Sequence, residues 1–262
     1  MLFGTAFRNC GELMTKSITL FIADNRNHAL AKFAIEKTLE NIDCREIITY
    51  SDRPIIDGAK HVPLRKEINL YDYSSIVLKQ LWSHVETDHV LVIQYDGMAI
   101  RGDLWDDAWL QYDYIGAVWP WPIKGRNMGN GGFSLRSRKL IDACRDNAIQ
   151  LGGESGQNED TAICVEFRPY LEEKYGIQYA SKEAATKFST ENYFQGDSFG
   201  FHGLWNAAKF MDKKDVEYIM NHIQDYTWKD ASKTQVWIRM LMERGFDDLV
   251  MQTLKILERV NQ

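Results

Sequence analysis

The sequence predicts an α/β chain, with a mostly parallel central sheet flanked by helices and a small helical extension at the C-terminus. Three observations carry this expectation. Between residues 17 and 118 short apolar runs alternate with amphipathic stretches, the pattern of βα units feeding a parallel sheet. His89-Val90-Leu91-Val92-Ile93-Gln94 is a continuous apolar run rich in β-branched residues, as expected of a central strand covered on both faces. From Asn206 onward the pattern turns helical.

Taken in order, Ser17–Ala23 reads as the first strand and ends at the polar loop Asp24-Asn25-Arg26-Asn27. Leu30–Ile42 follows as a helix, with Phe33, Ala34, Ile35, Leu39 and Ile42 forming its apolar stripe. Arg45–Tyr50 is the second strand, closed by Ser51-Asp52-Arg53-Pro54. Ser74–Val85 is a second helix with Val77, Leu78, Leu81, Trp82 and Val85 on one side. The stretch from Tyr95 to about Gly200 is richer in Gly, Trp and Tyr and predicts short elements joined by loops. Asp215–Ile223, Thr234–Glu243 and Asp247–Val260 are the helices of the extension. Their charged faces and lack of motif residues assign them to packing or to a homo-oligomer interface.

At 262 residues the chain can bury a substantial core without disulfide or metal staples. A composition of 45% hydrophobic and 26% charged residues is that of an ordinary globular protein, and no apolar run approaches the roughly 18 residues that span a bilayer. Cys10, Cys44, Cys144 and Cys164 are scattered, so neither a structural zinc nor a disulfide framework is expected. That usage, with no visible secretory leader, fits a cytoplasmic protein. Residues 1–13 read as an irregular lead-in, with Met14 as a candidate alternative start. A net charge of −6 argues against an extended nucleic-acid footprint. An acidic chain that handled a diphosphate would need a metal or a few placed cations.

Ligands on open parallel sheets bind beyond the carboxyl ends of the strands. The run 89–94 delivers Gln94-Tyr95-Asp96-Gly97 there, where Asp96 either holds Mg²⁺ or Mn²⁺ or simply turns the chain beside a glycine. Trp119 and Trp121 can stack on sugar rings or anchor core and loop. In Met128-Gly129-Asn130-Gly131-Gly132-Phe133-Ser134-Leu135-Arg136, three glycines in four positions predict positive φ and close approach to a ligand. The loop matches neither a P-loop nor the dinucleotide fingerprint. Asn158-Glu159-Asp160 reads either as an acidic helix start or as the source of a general base. His202, between glycines and aromatics in Phe199-Gly200-Phe201-His202-Gly203, is either structural or a metal or phosphate contact.

In this order the motifs resemble a group of little-characterised GT-A-like glycosyltransferase domains from bacteria and viruses. The resemblance spans about residues 17–205: Q-x-D, Y-D-Y-I-G-A-x-W, G-N-G-G-F-S-L-R, E-D and F-G-F-H-G. It implies a catalytic domain over 1–205 and leaves 206–262 as the helical extension. It implies a divalent cation, Mn²⁺ or Mg²⁺, held by Asp96 and His202. Asp160 would be the base of an inverting transfer, with Glu159 beside it. Ala23, Asp24 and Asn25 would flank the nucleotide, and Gly131 and Gly132 would lie along the donor sugar and acceptor. Trp119, Trp121 and Asn130 are the remaining candidate substrate contacts. Lys79 is a candidate for supplementing the charge, although its helical phase favours a solvated lysine. The partners implied are a nucleotide-sugar donor and a glycan or other hydroxyl acceptor. The sequence departs from the usual D-x-D by placing Gln at 94, which leaves one carboxylate and motivates a rival reading as a non-catalytic nucleotide-sugar or glycan-binding module. A nucleotidyltransferase ranks below both, because the loop after the first strand has no glycine.

Overall fold

The computed structural model describes residues 16–153, 156, 158–192 and 196–260; Cys10 and Met14 lie outside them. The first half builds β1 (Lys16–Ala23), α1 (His28–Leu39), β2 (Cys44–Ser51), β3 (Lys60–Pro63), α2 (Leu70–Ser75) and β4 (His89–Ile93). The helix after α2 continues in wider and tighter turns through Ser83. β1 pairs in parallel with both β2 and β4, and β2 with β3.

The middle of the chain adds β5 (Gly97–Ala99), β6 (Tyr114–Ile115), β7 (Val118–Ile123), β8 (Arg126–Met128) and β9 (Phe133–Ser137). β9 runs antiparallel between β4 and β6, giving a six-stranded sheet in the order β3-β2-β1-β4-β9-β6. All strands but β9 share one direction, so the sheet is mostly parallel. Side-chain alternation splits its core in two. Ile18, Leu20, Ile22, Leu91 and Ile93 pack with α1 on one face. Phe21, Ala23, Val90 and Val92 pack with Tyr73, Ile76 and Leu81 on the other. Burial on both faces is why β4 reads as an unbroken apolar run.

β9 leads into α3 (Arg138–Ala143), whose first turn is capped by Ser137 Oγ accepting from Leu140 N. Then come α4 (Glu159–Thr161), α5 (Arg168–Tyr175), α6 (Lys182–Phe188), β10 (Ser189–Thr190) and β11 (Gly200–His202). β11 pairs in parallel with β10 and antiparallel with β5, forming a second, three-stranded sheet.

The C-terminal helices are α7 (Leu204–Phe210), α8 (Lys213–His222), α9 (Asp225–Trp228), α10 (Ala231–Glu243) and α11 (Asp247–Val260). Val216, Ile219, Trp228, Trp237, Leu241 and Leu249 join the same buried cluster as β1 and α1. Phe33 of α1 stacks on Tyr218 of α8 at 4.9 Å, and Lys37 pairs with Asp215 at 2.8 Å. Among the described residues no helix is long and apolar enough to cross a membrane.

Candidate active site

The chain leaves β4 through a tight turn in which Gly97 N donates to Gln94 O at 3.0 Å. That turn carries Asp96. β11 pairs with β5 so that His202 lies opposite Gly97, and Gly203 N donates to Asp96 O at 2.8 Å. Two segments distant in sequence are thereby locked side by side. His202 Nε2 stands 3.4 Å from Asp96 Oδ1 and 3.1 Å from Gln94 Oε1. On the other side of the ring, Nδ1 is 3.1 Å from Glu191 Oε1 and 3.0 Å from Asn130 Nδ2. Burial by itself would lower the His202 pKa, but Asp96 and Glu191 outweigh it and push it up to about 10. Burial likewise opposes the charge of Glu191, yet the imidazolium holds that carboxyl below its usual range. Glu191 has no distinguishing pattern around it in the sequence and was not foreseen.

The glycine loop meets this cluster, for a reason other than the one expected. Gly129, Gly131 and Gly132 do not adopt positive φ; Asn130 does, at 71°. Asn130 tolerates that conformation because its Oδ1 accepts from Gly132 N (3.0 Å) and Phe133 N (3.1 Å). The glycines are required by space. A Cβ on Gly132 would stand 2.2 Å from His202 Nε2, one on Gly131 1.9 Å from Glu159 Oε1, and one on Gly129 2.0 Å from the Trp119 ring. Asn130 is thus a buried loop anchor that also touches the imidazole.

Glu159 and Asp160 open α4 and diverge. Glu159 is buried and pairs with the equally buried Arg136 at 2.9 Å, with Ser74 Oγ donating to its other oxygen at 3.3 Å. It is the counter-ion of a core arginine. Asp160 is part-buried; its Oδ2 accepts from Gly131 N at 3.1 Å and its Oδ1 from Thr161 N at 2.6 Å. Burial, reinforced by the Glu159 charge, raises its pKa to about 6 against the pull of those two amides. Asn158, not Asp160, is the N-cap residue, and its side chain makes no capping bond.

Three cavities open around the turn that carries Asp96, two of them lined by Asp96 itself and one by its neighbours Gln94 and Tyr95. One of about 200 Å³ is lined by Ala23, Asp24, Asn25, Tyr73, Gln94 and Tyr226, among others, at the ends of β1 and β4. There Asp24 Oδ1 accepts from the amides of Arg26 and Asn27, and Asn25 Nδ2 donates to Lys66 O, fastening two loops together. A second, of about 660 Å³, contains Asp96, Glu191 and His202. A third, of about 40 Å³, lies between Tyr95, Asp96 and the C-terminal residues Trp228, Lys233 and Trp237. Asp160 lines none of these; it stands behind Gly131.

The other expected residues are dispersed. Lys79 lines none of these cavities; it is part-buried, and its Nζ donates to Cys144 O (2.7 Å) and Asp146 O (2.8 Å), closing the C-terminal end of α3. Trp119 is buried against Gly129, whereas Trp121, at 57% exposure, projects from the β7–β8 hairpin.

The paired Asp96 and His202 fit a divalent cation in part. Asp96 Oδ1 is buried with no hydrogen bond beyond its 3.4 Å approach to His202 Nε2, and Glu191 on the far nitrogen can hold the ring so that Nε2 faces Asp96. Among the described residues no three His, Cys, Asp or Glu groups converge on one metal position, so the remaining ligands would be phosphate oxygens and water.

Residues 64–202 match the profile of a family described as a protein of unknown function, DUF5672. No curated protein matches the chain by sequence. Among solved structures it is similar to the mannosyltransferase PcManGT of Pyrobaculum calidifontis in complex with GDP-Man and Mn²⁺, at 9% identity and a TM-score of 0.43, over 65% of this chain and 57% of that one. It spans little more than half of that enzyme's length. It is also similar to the galactosyltransferase LgtC in complex with donor and acceptor sugar analogues, at 13% identity and a TM-score of 0.47, over 79% of this chain and 96% of that one. A third likeness is to a glycosyltransferase involved in glycosylating the major capsid of PBCV-1, at 12% identity and a TM-score of 0.43, over 71% and 92%. Likenesses this distant leave the reaction open.

Proposed function

The chain belongs to the DUF5672 family, and we propose that this member transfers a glycosyl group from a nucleoside diphosphate sugar to an acceptor hydroxyl. One observation carries the reading: Asp96 and His202 converge at the carboxyl end of the central strand, with the Asp160-anchored glycine turn packed against the imidazole. That arrangement sets a charge-stabilising pair and a separate carboxylate around one turn of backbone.

In the proposed reaction the bond from the anomeric carbon to the diphosphate oxygen breaks, and a new bond forms from that carbon to the acceptor oxygen. The acceptor proton passes to Asp160, whose raised pKa suits a base working near neutrality. The nucleoside sits in the cavity at the end of β1, where Asp24 and Asn25 shape the wall. Trp121 is exposed and can stack on an acceptor sugar. Asp96 and His202 would hold Mn²⁺ or Mg²⁺, which would neutralise charge on the leaving diphosphate. Without that ion the His202 imidazolium itself stands beside Asp96. Glu159 has no part in proton transfer, because its carboxylate is committed to Arg136.

A second reading, a module that binds the donor without turning it over, draws on the closed Asp96–His202–Glu191 triad, in which the imidazolium already neutralises one of the two carboxylates. One assay separates the two. The protein is incubated with a panel of nucleoside diphosphate sugars, Mn²⁺ and simple glycans, and released nucleoside diphosphate is measured. Release supports transfer or donor hydrolysis; a thermal shift without release supports the module; neither response sinks the donor reading.

A further inference from the structure

The 660 Å³ cavity beside Asp96 is walled largely by α7 and α10, the extension that the sequence assigns to packing. Its charged lining is Asp96 and Glu191 against His202, Lys209, Lys233 and Arg239. In a chain of net charge −6, this cavity concentrates cations. Lys233 lines the small cavity beside Tyr95 and Asp96 as well, with its Nζ 5.9 Å from the ring of Trp205, which also borders both.

We propose that Lys233 and Arg239 of α10 bind the diphosphate of the donor, making the C-terminal helices part of the binding site rather than an appendage. The inference rests on the donor reading above. It places function outside the region that matches the family profile, which ends at residue 202.

Two further observations support it. Both cations have only loose internal partners. Lys233 Nζ is 3.5 Å from Asp230, and Arg239 Nε is 3.9 Å from Glu243, with every one of these side chains at least 40% exposed. Pairs of that kind contribute little, so a ligand anion can take either cation over at small cost. Lys209 lines the same wall; burial is the main cause that lowers its pKa, and Glu243 raises it by more than Arg239 lowers it. A third cation beside the other two adds to the attraction for an anion. The guanidinium can grip a phosphate with two parallel donors, and the ammonium supplies a point charge beside it.

The test uses the full chain and UDP, GDP and ADP beside uridine, guanosine and adenosine, followed by calorimetry at two salt concentrations. For the base that binds, Lys233→Ala and Arg239→Ala should each weaken the diphosphate about tenfold or more and flatten its salt dependence. The matching nucleoside should bind as to wild type, and Arg239→Lys should recover part of the loss. Inorganic pyrophosphate should compete with the diphosphate in wild type and poorly in the variants. Variants that bind the diphosphate like wild type, or that lose the nucleoside equally, overturn the proposal while leaving the donor reading intact. A wild-type chain that binds no nucleoside diphosphate removes the donor reading and this inference together. Both side chains are more than half exposed, so loss of folding is not expected; thermal melts of each variant check it.

Discussion

His202 stands between two carboxylates, with Nε2 3.4 Å from Asp96 Oδ1 and Nδ1 3.1 Å from Glu191 Oε1. The raised pKa of about 10 lies above the ordinary histidine value, so the folded state holds the proton more tightly than the unfolded chain. The stabilisation is complete below about pH 6.5 and is lost as pH rises through about 10. Denaturant unfolding in chelator should therefore show wild-type stability falling across that window. His202→Gln should lose this slope. An identical slope in the variant would assign the pH dependence to other groups.

In the proposed reaction Asp96 would hold the cation against the diphosphate. Asp96→Asn should weaken Mn²⁺-dependent donor binding by about 10–100-fold, with a melting temperature close to wild type. Calorimetry with and without Mn²⁺ reads both. Unchanged metal-dependent binding would take Asp96 out of the site.

Asp160 accepts from Gly131 N and Thr161 N and carries a pKa raised to about 6. A base must be deprotonated to act, so transfer should rise with pH through about 6 and then level off. Asp160→Asn should keep donor affinity, lose transfer by about 10²–10⁴-fold and show no such limb. An active variant with the limb intact would leave Asp160 only its role of pinning the glycine turn.

Glu159→Gln tests the neighbouring carboxylate. It strips Arg136 of its buried counter-ion, which should cost about 3–5 kcal/mol in unfolding free energy. Folded protein that survives should keep its pH profile. A variant of wild-type stability with lost transfer would restore Glu159 to the chemistry.

Gly132→Ala places a methyl 2.2 Å from His202 Nε2. It should cost about 1–3 kcal/mol and impair donor binding by displacing the ring. Gly58→Ala is a poor control, because its φ of 80° strains any side chain although nothing lies near.

The parallel half of the fold was legible where its central strands, β1 and β4, are buried and leave apolar runs. β4 and the turn bearing Asp96 stand where that pattern puts them. β3 escaped notice: Lys60-His61-Val62-Pro63 is a short, half-exposed strand at the sheet edge with no periodicity to read. The antiparallel direction of β9 was not legible, because it depends on partners rather than on its own residues. Within the site, glycine spacing marked the right loop for the wrong physical reason. The sequence showed three flexible residues, whereas the fold needed three missing methyl groups and laid the positive φ on Asn130. Arg136 stood in the motif without a role, since its partner Glu159 is 23 residues away and nothing local couples them. Lys233 and Arg239 were invisible as site residues because only the fold-back of α10 brings them to Asp96.

The pairing of β5 with β11 has a consequence for how the protein acquires its site. Gln94 and His202 are separated by 108 positions, and the strand that carries His202 is held by the short β5 that follows the Asp96 turn. Contacts this distant in sequence favour slow folding, so this pairing should form after the more local strands and helices are in place. A ribosome-bound chain that has released β1 to β5 carries Asp96 but not the His202 imidazole. Ligand affinity during refolding should thus appear in one step, after most of the secondary structure has formed.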